Sequence, residues 1–185
     1  MNAYGVLAKE AGSSPHGSNG LLVLPYLSVE RTPIFDQKAR GVLAGFSLHH
    51  TRGDLYRALL EGIAFATRMN LEAMQNTGAW MTNGIAVGGG TSNQLWLQIV
   101  SDVTSIPQQL PEKTIGACYG DAFLAGLAVG VIKDKHVIKD QWVKFKRTVE
   151  PMDKVKPTYN ELYGLFKELY LSSQKVVHQL SEMQR

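Results

Sequence analysis

Apolar residues along the chain recur either at alternate positions or every three to four, and runs of glycine, proline and serine separate the segments. Residues 3–11 (AYGVLAKEA) predict a short helix, ended by the breaker-rich run 12–20 (GSSPHGSNG). Residues 21–27 (LLVLPYL) are apolar but interrupted by Pro25, so they predict a buried strand-like or extended segment rather than a central strand. Residues 42–48 (VLAGFSL) alternate and predict a strand. Asp54 is the predicted cap of a long helix reaching about Asn76, with Leu55, Leu59, Ile63, Ala66 and Met74 near one face and Gly78 as its stop signal.

The second half continues the alternation. Residues 85–87 predict a short buried strand that runs into Gly88, Gly89 and Gly90, and residues 93–103 predict a helix. A brief extended piece at 107–110 precedes an apolar, Ala/Gly-rich helix at 121–132. Residues 142–149 predict a strand or hairpin arm. The last segment, 158–183, is a long helix with Tyr159, Leu162, Tyr163, Phe166, Leu169, Tyr170, Val177 and Leu180 at helical spacing. Helices that alternate with strands in this way indicate an α/β layered domain. No internal repeat or linker divides the chain, so residues 1–185 are expected to form one domain.

Composition narrows the class. Hydrophobic residues make up 44% and charged residues 19% of 185 positions, as in a globular chain able to bury a real core. The net charge of +3 is mild and dispersed and says little about nucleic acid; no nucleic-acid partner is expected. No stretch reaches the roughly 18 apolar residues of a membrane-spanning helix, and residues 1–20 lack the basic start and apolar run of a signal peptide. The single cysteine, Cys118, excludes an internal disulfide framework and a cysteine-based zinc cluster. The expectation is a soluble cytoplasmic protein.

The segment with the most chemical content is Ile85-Ala-Val-Gly-Gly-Gly-Thr-Ser-Asn-Gln-Leu-Trp-Leu-Gln. Three residues without Cβ allow a ligand to approach the backbone and allow positive φ. The helix that opens next offers unpaired N–H groups and the positive end of its dipole, a setting suited to phosphate. Asn93 either bonds a ligand through its side chain or caps the helix. No Gly-Lys-Ser/Thr follows, and the spacing is not that of a dinucleotide fingerprint. Read alone, the segment fits a ligand-free strand-to-helix turn as well as a phosphate seat.

Five blocks in order carry a wider resemblance. The run Gly20-Leu-Leu-Val-Leu-Pro-Tyr-Leu-Ser-Val-Glu-Arg-Thr-Pro resembles the GLLFLPYLxGERxP stretch of xylulose-kinase-like FGGY carbohydrate kinases. Ala39-Arg-Gly-Val-Leu-Ala-Gly-Phe-Ser-Leu-His-His follows at their spacing, and Asp54-Leu-Tyr-Arg-Ala-Leu-Leu-Glu-Gly-Ile-Ala-Phe is similar to the second signature of that family. The run from Val87-Gly-Gly-Gly to Gln98-Ile-Val-Ser-Asp-Val resembles its adenosine motif, and Gly120-Asp-Ala-Phe-Leu-Ala-Gly its closing GAAxxA-type helix. Ser101 and Asp121 stand where the family usually has alanine.

The resemblance implies an actin-like fold, in which two ribonuclease-H-like domains clasp MgATP and a sugar and the γ-phosphoryl group passes to a sugar or polyol hydroxyl. It implies that Gly89 and Asn93 contact the nucleotide, with Gly88 and Gly90 shaping the turn. It also implies an N-terminally truncated chain. The first phosphate loop, most sugar contacts and the catalytic aspartate belong to a missing N-terminal part, so no catalytic residue is assigned here. The isolated chain is then expected to lack kinase activity and to expose apolar surface through which it forms homo-oligomers. A non-catalytic interaction module on the same fold and a different actin-like ATPase remain as alternatives.

The remaining polar and aromatic residues carry structural expectations. Glu30 and Arg31 are expected to form an ion pair that fixes their loop, and Asp121 to cap its helix. His49 and His50 are expected on the surface, since neighbours on a strand face opposite ways and do not share one metal ion. Cys118 is expected as a core or loop thiol. Glu61, among Ala58, Gly62 and Ala66, is assigned to helix packing. Asp102 is expected on the backbone amides of the 105–107 turn rather than on Mg²⁺, and Trp96 and Trp142 in the core.

Overall fold

The computed structural model describes residues 3–114 and 116–184. Among the described residues five α-helices and five short strands follow in order: α1 (Ala3–Ser13), β1 (Leu22–Leu24), β2 (Val42–Ala44), α2 (Arg52–Gln75), β3 (Gly84–Ile85), α3 (Gln94–Thr104), β4 (Gln108–Pro111), α4 (Ala117–Ala128), β5 (Phe145–Val149) and α5 (Lys156–Met183). β1 and β2 pair antiparallel, with Val23 opposite Leu43. A second sheet has the order β3-β4-β5, its first pair parallel and its second antiparallel. The layered α/β expectation holds.

An apolar core joins α2, α3 and α5 to the first sheet. Leu22, Leu24 and Tyr26 from the β1 segment meet Leu60, Ala64 and Phe65 of α2, Ile99 and Val103 of α3, and Tyr159, Tyr163 and Phe166 of α5. The aromatic rings pack edge-on, tilted or stacked, with Phe65 5.5 Å from Phe166, Tyr26 6.2 Å from it and Tyr163 stacked on it. The predicted α5 stripe is thus buried as far as Phe166, whereas Leu180 near its end is exposed.

α2 differs from expectation in two ways. Its N-cap is Thr51, not Asp54. Thr51 and Asp54 form a reciprocal capping box in which the Thr51 side chain accepts from the Asp54 N–H and the Asp54 carboxylate from the Thr51 N–H at 2.8 Å. Its buried face overlaps the expected stripe only at its border. Leu55, Leu59 and Ala66 are half-buried, Leu59 and Ala66 against the core, and Ile63 and Met74 are exposed, while Gly53, Asp54, Arg57, Ala58, Leu60, Glu61, Gly62, Ala64 and Phe65 are buried. Small residues let two neighbours pack at close range. A Cβ on Gly62 would lie 2.4 Å from the Val23 carbonyl oxygen, so only glycine permits β1 this approach.

Glu61 shows why charged residues lie on that face. Arg57 donates from Nε to Glu61 Oε1 at 2.7 Å, from Nη1 to the Ser14 carbonyl at 3.0 Å and from Nη2 to the Tyr159 hydroxyl at 3.1 Å. Glu61 also accepts from Ser18 Oγ at 2.8 Å, the Gly17 N–H at 3.1 Å and Tyr159 at 2.9 Å. The cluster links α2, α5 and the loop after α1. Glu61 is therefore the centre of a buried polar network and not simply a packing residue.

Other expectations are corrected locally. α4 begins at Ala117 after Gly116, so Asp121 sits inside the helix and caps nothing. Cys118 is exposed on the first turn of that helix, neither core nor loop. Glu30 accepts from the N–H groups of Arg31 and Thr32 at 2.9 and 3.1 Å, which fixes the loop through backbone amides rather than an ion pair. Asp102 accepts from Met152 N–H and Gln98 Nε2, both at 2.8 Å, and so ties α3 to the start of the last segment instead of to the 105–107 turn. The strand at 142–149 is shorter than expected, because Ile138–Trp142 forms a helical turn and only Phe145–Val149 is extended.

Candidate nucleotide site

The glycine turn leaves β3 and reaches α3 through one intermediate turn. Ile85 and Val87 are 54% and 52% exposed, so the short strand is an open edge and not the buried strand expected. Gly88 adopts φ 85° and ψ −173°, a conformation that needs glycine, and its N–H donates to the Thr114 carbonyl at 2.8 Å. Gly89–Ser92 then wind a single 3-10 turn before α3 begins. The hydroxyl of Thr91 donates to the Gly88 carbonyl at 2.7 Å and that of Ser92 to the Gly89 carbonyl at 2.8 Å. These bonds occupy both carbonyls. The first N–H groups of the turn, those of Gly89 and Gly90, have no acceptor inside it.

Asn93 caps α3: its Oδ1 accepts from the Trp96 N–H at 3.1 Å. The capping alternative is therefore realised. It commits the oxygen and leaves the amide nitrogen, with two donors, for another partner.

The three glycines are not equivalent. A Cβ on Gly90 would lie 2.6 Å from the Trp96 ring, so Gly90 is required by packing. A Cβ on Gly89 would meet nothing within 4 Å, and Gly89 lines a cavity of about 470 Å³. Tyr4, Gly5 and Ala8 of α1, Tyr56 of α2, and Gly89, Gly90, Ser92, Asn93 and Trp96 line it. Of the residues singled out from sequence, Gly89, Gly90 and Asn93 meet on this cavity, while Gly88 sets the turn from outside the lining. Trp96 is half-buried and lines the cavity, not simply a core residue. Sequence reasoning missed Tyr4, Gly5, Ala8 and Tyr56, because no local pattern brings α1 and α2 to the glycine turn.

No carboxylate lines the cavity. Among the described residues no group of three His, Cys, Asp or Glu is placed to hold a metal ion. Asp102 lies apart from the cavity on its own amide partners, with burial holding its carboxyl above the usual range. His49 is exposed, and His50 closes a turn by accepting from the Ser47 N–H at 2.9 Å.

A strand, a glycine turn and a helix mouth facing a cavity are the parts of an anion-binding α/β domain. The model of the C-terminal domain of the FGGY family of carbohydrate kinases matches residues 2–129, and the chain belongs to that family. It is 31% identical over 170 residues to a xylulose kinase from Staphylococcus epidermidis, covering 92% of this chain and 34% of that protein. A glycerol kinase from Alkaliphilus oremlandii is 37% identical over 126 residues, covering 68% of this chain and 25% of that protein. The crystal structure of xylulose kinase from Rhodospirillum rubrum superposes with a TM-score of 0.80 at 32% identity, covering 95% of this chain and 35% of that one. The fold is thus the actin-like, ribonuclease-H-like one of the family's C-terminal domain. The chain spans about a third of the length of the relatives it matches.

Proposed function

We propose that the 185 residues form one unit, the nucleotide-holding part of an ATP-dependent kinase that transfers a γ-phosphoryl group to a sugar or polyol hydroxyl. The observation that carries this reading is the place of Gly89, Gly90 and Asn93 together on a cavity at the mouth of α3. Phosphate oxygens brought there accept from the Gly89 and Gly90 N–H groups and sit at the positive end of the α3 dipole. The Asn93 amide nitrogen donates to the nucleoside, while its oxygen keeps the helix capped. Gly88 holds the turn in place through its bond to Thr114.

Phosphoryl transfer depends on positioning and charge neutralisation more than on covalent chemistry. This chain's share is to fix the nucleotide. Mg²⁺ enters as part of the substrate, MgATP, and no described residue of this cavity is suited to hold it by itself. The base that accepts the hydroxyl proton and the sugar site are assigned to sequence that the longer relatives carry and this chain does not. In this reading the 185-residue chain binds nucleotide without turning it over, and the complete enzyme works in the cytoplasm. No described helix is long and apolar enough to cross a membrane.

The test is a titration of the isotope-labelled chain with ADP, followed at the backbone amides. Gly89, Gly90 and Asn93 are expected to shift in a saturable way. Unmoved amides at saturating ADP refute the proposal, and turnover of ATP with a pentulose or polyol by the chain alone refutes its division of labour. If binding is absent while the chain still engages a protein partner, the non-catalytic module takes its place.

A further inference from the structure

The cavity is chemically two-sided. The glycine turn and the mouth of α3 bring N–H groups and the Asn93 amide, whereas α1 and α2 bring Ala8 and the rings of Tyr4 and Tyr56. A nucleotide is two-sided in the same sense, with a phosphate tail that needs donors and a flat base that needs apolar contact along its faces and hydrogen bonds at its edge. Matching the two fixes the orientation: the tail goes to Gly89 and Gly90, the base toward α1 and α2.

Only one of the two tyrosines is held in place. Tyr4 sits on the first turn of α1 and is 73% exposed. Tyr56 is half-buried on the second turn of α2 just after the Thr51–Asp54 capping box, and its ring packs against the main core. Its hydroxyl has no hydrogen-bond partner among the described residues. Tyr159, Tyr163 and Tyr170, by contrast, donate to Glu61, Glu72 and Asp36 at 2.9, 2.7 and 2.8 Å. A fixed ring with an uncommitted hydroxyl on a nucleotide-sized cavity has the properties of a base-contacting group.

We propose that Tyr56 is a specificity-determining residue of the nucleotide site, with its ring against the purine and its hydroxyl bonded to the polar edge of the base. This inference rests on the nucleotide reading of the cavity and adds to it the orientation of the ligand and the residue that reads the base.

The experiment is calorimetric titration of the 185-residue chain and its Tyr56→Phe and Tyr56→Ala variants with ADP and with adenosine, alongside their thermal midpoints. Tyr56→Phe keeps the ring and is expected to fold as the parent does while weakening both ligands about fivefold, the loss of one hydrogen bond. Tyr56→Ala also removes the stacking surface and is expected to weaken both about tenfold or more. Equal affinities in parent and both variants overturn the assignment of Tyr56 and leave the nucleotide site standing. A loss for ADP without a matching loss for adenosine overturns the orientation, because it places Tyr56 at the phosphate end. Failure of the parent chain to bind ADP overturns both readings together.

Discussion

The Tyr159 hydroxyl donates to the Glu61 carboxylate at 2.9 Å, although the two residues stand 98 positions apart in the chain. The same hydroxyl accepts from Arg57, so a three-way buried contact ties α5 to α2. Burial pushes the Tyr159 phenol above its ordinary range, which keeps it a neutral donor at any physiological pH. Removing one member leaves the other two desolvated and short of a partner. Glu61→Ala is expected to destabilise the fold by about 3–5 kcal/mol, since it leaves the Arg57 charge unpaired. Tyr159→Phe is expected to cost about 1–3 kcal/mol. Urea unfolding of the two variants measures both, and a loss below about 1 kcal/mol for Glu61→Ala would show that the network contributes little.

Gly89 and Gly90 are adjacent and make opposite predictions. Gly89→Ala enters open space, so its thermal midpoint is expected to stay near that of the parent while ADP affinity falls. Gly90→Ala puts a methyl group 2.6 Å from the Trp96 ring. It is expected to lower stability by about 1–3 kcal/mol through overpacking. Melting curves with and without ADP separate the two effects.

Asp54 makes stability depend on pH in the acid range. A hydrogen bond from Ser14, together with those from Thr51 and Asn19, holds its carboxyl down to about 2. A carboxylate whose folded value lies below its unfolded value of about 3.9 stabilises the protein fully above that unfolded value. The contribution is lost as pH falls through the folded value. Stability is therefore expected to decline between about pH 4 and pH 2. Asp36 adds to the same trend: although burial opposes ionisation, bonds from His178, Tyr170, the Lys38 N–H and Gln174 hold its carboxyl well below the usual range. Asp54→Asn is expected to be less stable at pH 7 and to show a shallower acid decline in unfolding curves taken across that window.

Gly62→Ala tests the close approach of α2 and β1. The added methyl would meet the Val23 carbonyl oxygen at 2.4 Å, an atom that moves only with the strand. A loss of about 1–3 kcal/mol is expected despite the better helix propensity of alanine. A neutral or stabilising result would mean that β1 shifts freely.

Leu27, Phe35, Phe46 and Leu48 are 76%, 73%, 62% and 102% exposed around the β1–β2 sheet. Apolar surface of this kind favours association. Sedimentation of the 185-residue chain is expected to show self-association that rises with concentration, and Phe46→Ser with Leu48→Ser to reduce it.

Much of the architecture was legible in the order of the residues. The helices at 3–13, 52–75, 94–104 and 156–183 follow local periodicity and stop signals, because a helix closes its hydrogen bonds within a few residues and its pattern is local. The glycine turn was legible for the same reason, as three residues without Cβ followed by Asn93 specify a bend and a cap wherever they occur. The family blocks then supplied the nucleotide reading that is proposed for that turn.

Local pattern could not tell which side of α2 is inward. Leu55, Leu59 and Ile63 gave the more apolar stripe, yet burial went to the side where Gly62 admits β1 and where Arg57 and Glu61 find partners on α5 and the loop after α1. Hydrophobicity assigns charged residues outward unless their partners are known, and here the Tyr159 partner lies far along the chain. Asp102 and Asp121 were misplaced for related reasons, one bonded to Met152 fifty positions away and the other inside a helix that starts four residues earlier than its sequence signal. The cavity belongs wholly to the second category. Its turn is encoded in one segment, but its wall is built from Tyr4, Ala8 and Tyr56 on helices brought there by packing. Sequence alone determined the elements and the bend; tertiary structure decided what faces the bend, because contacts between distant segments exist only once the core has closed.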